Sequence, residues 1–204
     1  MSDQLSALTR DNVDANPIRQ FQQWYDEALA AGIPEADAMT LATATLDGKP
    51  SARIVLLKGF DKGGFVFYTN YHSRKGRELA ENPYACLVAY WMTVKRQVRI
   101  EGTVEKISPE ESEIYFRTRP LGSKIGAWVS NQSDVVEKRE ILEKRFAELA
   151  KRYGDDVPRP PHWGGYRLKP NVIEFWQGKE NRLHDRLRYT LQEDGTWVIE
   201  RLGP

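Results

Sequence analysis

Apolar residues recur first at helical spacing. Asn16-Pro17 predicts a helix start, with Asn as cap and Pro in the first turn. Ile18, Phe21, Tyr25, Ala28 and Leu29 then form one apolar stripe, and Gly32 with Pro34 ends it. From Ala38 the period falls to two. Residues 39–45 and 51–58 predict strands joined by the hairpin signal Asp47-Gly48. Residues 65–70 add a third strand, and residues 73–81 a helix capped by Ser73. Residues 84–91 and 94–107 read as two more strands. In the second, Val94, Val98 and Ile100 share one face, and Lys95, Gln97, Arg99 and Glu101 the other. Ser108-Pro109-Glu110-Glu111 is a capping box opening a helix that ends near Arg119-Pro120. A second helix is expected from about residue 133 to residue 153, on the stripe Leu142, Phe146, Leu149 and Tyr153. A stiff connector, residues 158–161, follows. Strand patterns return at residues 165–168, 172–177, 182–191 and 196–202.

About eight strands, mostly in hairpins and without βαβ alternation, predict a mainly β fold: an antiparallel barrel with peripheral helices. Residues 1–16 read as a mobile N-terminal segment and residues 17–204 as a single domain. The chain has 204 residues, enough to bury roughly 70% of its unfolded surface. Its formal net charge of +1 argues against a general nucleic-acid or membrane-surface binder. The longest apolar run, residues 84–92, is far shorter than the roughly 20 residues of a membrane span. One cysteine, Cys86, excludes an internal disulfide framework, and His72, His162 and His184 lack metal-ligand spacing. The composition describes a soluble, cytoplasmic protein.

Local constellations carry more. Ser73-Arg74-Lys75 places two cations in the first turn of a helix, against the helix dipole. Either both side chains swing into water, or they form an anion site with the helix N–H groups and the Ser73 hydroxyl. In residues 182–189, alternation sets Arg182, His184, Arg186 and Arg188 on one face, and Leu183, Leu187 and Tyr189 on the other, with Asp185 among them. Trp176 offers an aromatic wall nearby. The apolar run from Arg53 to Lys58 puts its two cations on opposite faces unless a bulge intervenes. Structural salt bridges are the simpler reading of both. Tyr115 and Arg119 are i, i+4 neighbours, and with Ser123 they make a second phosphate cradle. Gln132-Ser133 is a further donor pair. No Walker loop, dinucleotide fingerprint or serine elbow occurs. The residues themselves thus suggest two anion sites on a small barrel, with aromatic walls and few general bases.

The stretches DGKPSARIVLLKGFDKGGFVFYTN, SRKGRELAENP, RQVRIEG, YFRTRP, SKIGAWVSNQS, WGGYRL, IEFWQG and NRLHDR, in this order, resemble the pyridoxamine 5′-phosphate oxidase family. The resemblance implies an FMN-binding split β-barrel acting as a homodimer with its active sites at the interface. It implies oxidation of pyridoxamine 5′-phosphate or pyridoxine 5′-phosphate to pyridoxal 5′-phosphate, with dioxygen as acceptor and hydrogen peroxide released. By the same resemblance, Arg53, Ile54, Val55, Lys58, Tyr68, Thr69, Arg74, Lys75, Gln97, Gln132, Ser133, Trp176 and Arg186 hold FMN. Lys58, Tyr115, Arg119 and Ser123 take the substrate phosphate. Arg182, Leu183 and His184 contact the substrate, with Arg182 and His184 the catalytic pair. The Arg-Arg-Glu-Tyr-like element of the family's N-terminus is missing from residues 1–13, so no residue there is assigned. Two rivals are a non-catalytic FMN-binding barrel and a flavin-free pyridoxal-phosphate carrier. The first leaves Tyr115, Arg119, Arg182 and His184 without a role, the second Arg74, Lys75 and Trp176.

Overall fold

The computed structural model describes residues 7–204. Asn16 caps helix α1 (Pro17–Ala30), its side chain accepting from the N–H groups of Ile18 and Arg19. Strands β1 (Ala38–Ala44), β2 (Pro50–Asp61) and β3 (Gly64–Asn70) follow as hairpins, then helix α2 (Arg74–Glu81). Strands β4 (Tyr84–Trp91) and β5 (Arg96–Lys106) form the next pair. Helices α3 (Pro109–Thr118), α4 (Leu121–Val129) and α5 (Arg139–Tyr153) come next, then strands β6 (Trp163–Gln177), β7 (Asp185–Leu191) and β8 (Trp197–Arg201).

All strand pairs are antiparallel, in the order β3-β2-β1-β4-β5-β6-β7-β8. A further pairing of β3 with β6, from Phe65↔Leu168 to Asn70↔Trp163, closes the first six of these strands into a barrel. The expected antiparallel barrel with peripheral helices is therefore the fold. Alternation fills its interior with Met39, Leu41, Phe65, Phe67, Leu87, Val98, Ile100, Ile173 and Phe175, all nearly inaccessible. Helix α1 covers this core with Phe21, whose ring meets Phe60 and Phe65 edge-on at 4.8 and 4.9 Å. Each such fully buried aromatic contributes roughly 1.5–3 kcal/mol of transfer free energy.

The structure departs from the sequence pattern in five places. Residues 163–177 form one strand rather than two. Its register against β5 shifts between Glu101 and Gly102, which leaves Asn171 as the extra residue and Pro170 opposite Gly102. Gly102 is required there, because a Cβ would lie 1.9 Å from the Lys169 carbonyl oxygen. Residues 121–129, between the two expected helices, form a further helix, α4, and α5 begins at Arg139 rather than near residue 133. The strand expected from residue 94 begins at Arg96, after a 3₁₀ turn over Met92–Val94 and a left-handed Lys95. The strand expected from residue 182 begins at Asp185, because Asn181 and Arg182 both adopt positive φ, at 56° and 61°. Finally, residues 7–16, part of the segment expected to be mobile, make contacts with strand β7. Leu8 is buried, its N–H donates to Asp185 Oδ2 at 3.0 Å, and Tyr189 donates to the Asp14 carbonyl at 2.8 Å. The rest of that expectation, residues 1–6, lies outside the described residues. Among the described residues no helix is long and apolar enough to cross a membrane.

Candidate functional site

A cleft of ≈ 450 Å³ opens between β2, β3, α3 and α4. Strand β2 presents Ile54, Val55, Leu56 and Lys58, and β3 presents Tyr68, Thr69 and Asn70. Lys75, Tyr115, Arg119, Ser123 and Gln132 complete the polar lining. Alternation puts Arg53 on the opposite parity from Lys58, as expected. Lys58 is also the extra residue of a bulge, since the β2–β3 register passes from Leu57 to Gly59. Among the described residues, three cations line the cleft and no carboxylate does.

The anion site expected at residues 73–75 has a different construction. Ser73 is fully buried and its hydroxyl accepts from the Gly76 N–H at 3.2 Å, so it caps α2. The Arg74 N–H is held by Ser133 Oγ at 3.1 Å. Ser133 itself takes a φ of 77°. Lys75 is buried, and its ammonium donates to Thr69 Oγ1 and Gln132 Oε1, both at 3.0 Å and both neutral. Burial, then the nearby Arg53, lowers the Lys75 pKa to about 8. A buried ammonium with only neutral partners suits an incoming anion.

Beneath it, Arg53 reaches Glu78 at 3.3 Å and also bonds Thr43 and Ser51. Arg74 Nε reaches the same carboxylate at 2.8 Å. Burial opposes ionisation of Glu78, but donors from Ser51, Thr43, Arg74 and Arg53 outweigh it and bring its pKa to about 2.

On another wall, Tyr115 stacks on Tyr68 with ring centroids 3.9 Å apart, and the Trp163 ring lies nearly parallel to both, 5.4 Å from Tyr68 and 6.3 Å from Tyr115. Burial, then the Tyr115 phenol, pushes the Tyr68 hydroxyl up to about 12. Arg119 lies over the Trp163 ring at 4.6 Å. Its Nη1 is buried without a hydrogen-bond partner, and burial lowers its pKa. An orphaned guanidinium nitrogen facing a carboxylate-free cleft again fits an anion.

The remaining expected residues lie elsewhere in the chain. Gln97, Trp176 and Arg186 form one cross-strand row on the outer face of β5, β6 and β7, alternating with the buried Val98, Phe175 and Leu187. Arg186 Nε donates to the buried Glu174 at 2.7 Å, a bond that raises the Arg186 pKa. His184 packs 4.7 Å from Trp176. The Lys179 N–H donates to His184 Nδ1 at 3.1 Å, so Nδ1 is the acceptor and Nε2 carries the proton of the neutral ring. Arg182, Leu183 and His184 stand in the turn before β7, not on its face, and Leu183 is exposed rather than turned inward. The structure thus brings Ile54, Val55, Lys58, Tyr68, Thr69, Lys75, Tyr115, Arg119, Ser123 and Gln132 together. It holds Arg53, Arg74 and Ser133 just beneath or beside them, and leaves Gln97, Trp176, Arg182, Leu183, His184 and Arg186 in a second group. Leu56, Asn70, Gly126, Ala127, Ser130 and Trp163 also line the cleft and were not foreseen. Trp163 had a signal in the Trp-Gly-Gly run, and Gly126, Ala127 and Ser130 in the run SKIGAWVSNQS.

Fold and site define a closed antiparallel barrel with a cation-lined, carboxylate-free cleft beside a helix start. The model of the pyridoxamine 5′-phosphate oxidase family matches residues 25–153, and that of the pyridoxine 5′-phosphate oxidase C-terminal dimerisation region matches residues 163–204. The chain belongs to the pyridoxamine 5′-phosphate oxidase family. It is 59% identical over 201 residues to a pyridoxine/pyridoxamine 5′-phosphate oxidase of Trichormus variabilis, covering 98% of this chain and 94% of the relative. To the enzyme of that name from Nostoc punctiforme it is 60% identical, with the same coverage. Among solved structures, PhzG from Burkholderia lata, in complex with tetrahydrophenazine-1-carboxylic acid, superposes with a TM-score of 0.92 at 35% identity, covering 98% of this chain and 99% of PhzG.

Proposed function

We propose that the chain is an FMN-dependent oxidase of pyridoxamine 5′-phosphate and pyridoxine 5′-phosphate, forming pyridoxal 5′-phosphate and passing electrons to dioxygen with release of hydrogen peroxide. One observation carries the reading. Lys75 and Arg119, both short of charged partners, face one carboxylate-free cleft, so two separate anionic groups have a place there. Lys75, Arg74, Arg53, Thr69, Gln132 and Ser133 hold the FMN phosphate, and Ile54, Val55, Lys58 and Tyr68 border the flavin. Tyr115, Arg119, Ser123 and Lys58 hold the substrate phosphate. FMN, when bound, supplies a two-electron acceptor that dioxygen re-oxidises.

The chain's own contribution is positioning and electrostatics. Anchoring both phosphates in the one cleft would order the reacting parts and lower the entropic barrier. The Tyr68–Tyr115–Trp163 stack excludes water from one wall. His184 donates from Nε2 and Arg182 adds positive charge, and together they stabilise charge on the substrate ring oxygen. Gln97, Trp176 and Arg186 complete the flavin site from a second copy of the chain. That arrangement explains why the two groups lie apart in one chain. It also suits the dimerisation region at residues 163–204 and the 62% exposure of Ile54 on β2. Cytoplasmic residence belongs to the same proposal and suits a single free cysteine.

The test is direct. Purified protein should show flavin absorbance, sediment as a dimer, bleach under anaerobic pyridoxamine 5′-phosphate, and release peroxide in air. Protein that carries flavin but neither bleaches nor releases peroxide would be a passive flavin binder.

A further inference from the structure

A carboxylate sits among the cations of the proposed phosphate site, and no binding role calls for it. Glu78 lies one turn after Arg74 on α2, with its side chain 5% exposed. Four side chains from three elements converge on it. Thr43 donates from β1, Ser51 donates at 2.6 Å and Arg53 at 3.3 Å from β2, and Arg74 at 2.8 Å from α2 itself. A negative charge beside a phosphate repels it, so this placement costs affinity unless the carboxylate does something for its neighbours. The geometry shows what that is. Arg74 meets Glu78 through Nε, which leaves its two Nη groups, the fork that recognises a phosphate, uncommitted to the carboxylate. Arg53 is fixed from Thr43, Ser51 and Glu78 at once. Without Glu78, two guanidinium groups and the buried Lys75 ammonium would repel one another in a small volume.

We propose that Glu78 is a positioning residue that holds Arg53 and Arg74 in place for a phosphate monoester. The inference rests on the reading that these arginines and Lys75 hold the FMN phosphate. Three cations against this one carboxylate leave two positive charges, which match the roughly −1.5 to −2 of a phosphate monoester near neutral pH.

The experiment titrates flavin-free full-length protein with FMN and with riboflavin, which lacks the phosphate, following flavin fluorescence. Glu78→Gln keeps the size and removes the charge. It should weaken FMN binding about tenfold or more, the scale of one charge-assisted contact, while riboflavin affinity stays within about twofold. Unchanged or tighter FMN binding overturns the inference, since relief of repulsion would then outweigh positioning. Equal losses for FMN and riboflavin overturn it too, because a general structural defect does not distinguish the phosphate. Should Glu78→Gln fail to fold, Arg74→Lys serves: it keeps the charge and lacks the Nε edge. It should lose FMN affinity selectively, and wild-type affinity overturns the inference. The double variant Arg74→Ala, Lys75→Ala separates the two levels. If it binds FMN as wild type does, the phosphate-site reading itself fails. If it loses FMN while Glu78→Gln keeps it, the positioning role alone fails.

Discussion

The guanidinium of Arg119 rests 4.6 Å above the indole of Trp163, with one terminal nitrogen buried and unbonded. The aromatic face holds the side chain from behind, and its own polar capacity is left for something entering the cleft. Arg119→Met keeps the contact with the ring and removes the charge. On the proposed assignment it should raise KM for pyridoxine 5′-phosphate by roughly 10- to 100-fold, from about 1.5–3 kcal/mol of lost charge-assisted bonding, with kcat little altered. Arg119→Lys should recover only part of this, because an ammonium lacks the planar fork. Steady-state kinetics on the three proteins check it. An unchanged KM in Arg119→Met would remove the substrate phosphate from this wall.

Lys75 gives a pH dependence whose sign follows from its environment. Burial lowers its pKa to about 8 in the flavin-free protein, and a bound phosphate raises it again. Below about 8 the ammonium is charged in both states and contributes no pH dependence. As pH rises through 8, the flavin-free protein loses the proton while the bound form keeps it, so binding must take up a proton and weakens. FMN affinity should therefore fall above pH about 8. Lys75→Met should bind less tightly and lack that inflection. Titrations from pH 6 to pH 10 on both proteins measure it, and the same inflection in Lys75→Met would assign it to another group.

Gly76 lies in α2 between the cations and Glu78. A Cβ there would lie 2.1 Å from the Tyr71 carbonyl oxygen, which is backbone and has no easy way to yield. Gly76→Ala should destabilise the fold by roughly 1–3 kcal/mol, lowering Tm by several degrees at about 2–4 °C per kcal/mol. It should also loosen FMN, since the helix start moves with the anion site. Calorimetry with and without FMN checks both effects.

Much of the fold was legible because its signals are local. The Asn16 and Ser108 caps, the Asp47-Gly48 turn and the alternation in β1, β4 and β5 each act within a few residues and set the β1–β2 and β4–β5 pairs, whereas the β1–β4 and β3–β6 pairs that complete the barrel join strands distant in sequence. Of the residues lining the cleft, Tyr115 and Arg119 were legible from their i, i+4 spacing, whereas Tyr68 and Thr69 came only from the family resemblance. Helix α4 was missed because its N-cap, Pro120, offers no side-chain cap, and Gly122 and Gly126 are poor helix formers. The turn at residues 181–184 was missed because periodicity carries no information on the sign of φ. Glu78 was missed because a single glutamate in a charged helix looks solvated until Thr43, Ser51 and Arg53 arrive from two strands.

That turn carries the last prediction. Asn181 and Arg182 both hold positive φ, a conformation costing of the order of 1–3 kcal/mol for a residue such as Arg, so the surrounding structure must fix it. Lys179 N–H orients His184 within the same turn. A strained turn presenting one guanidinium and one oriented imidazole suits catalysis better than it suits anchoring. Arg182→Met should leave FMN affinity and dimer mass unchanged. It should slow flavin reduction at saturating pyridoxine 5′-phosphate roughly tenfold or more, since a contact worth about 1.4 kcal/mol in the transition state is a factor of ten. Arg119→Met, by contrast, should approach the wild-type rate once substrate saturates. Anaerobic stopped-flow reduction across substrate concentration separates the two, because only the loss at Arg182 persists at saturation. A wild-type limiting rate in Arg182→Met would take that residue out of the chemistry and leave the strain of its turn without a catalytic explanation.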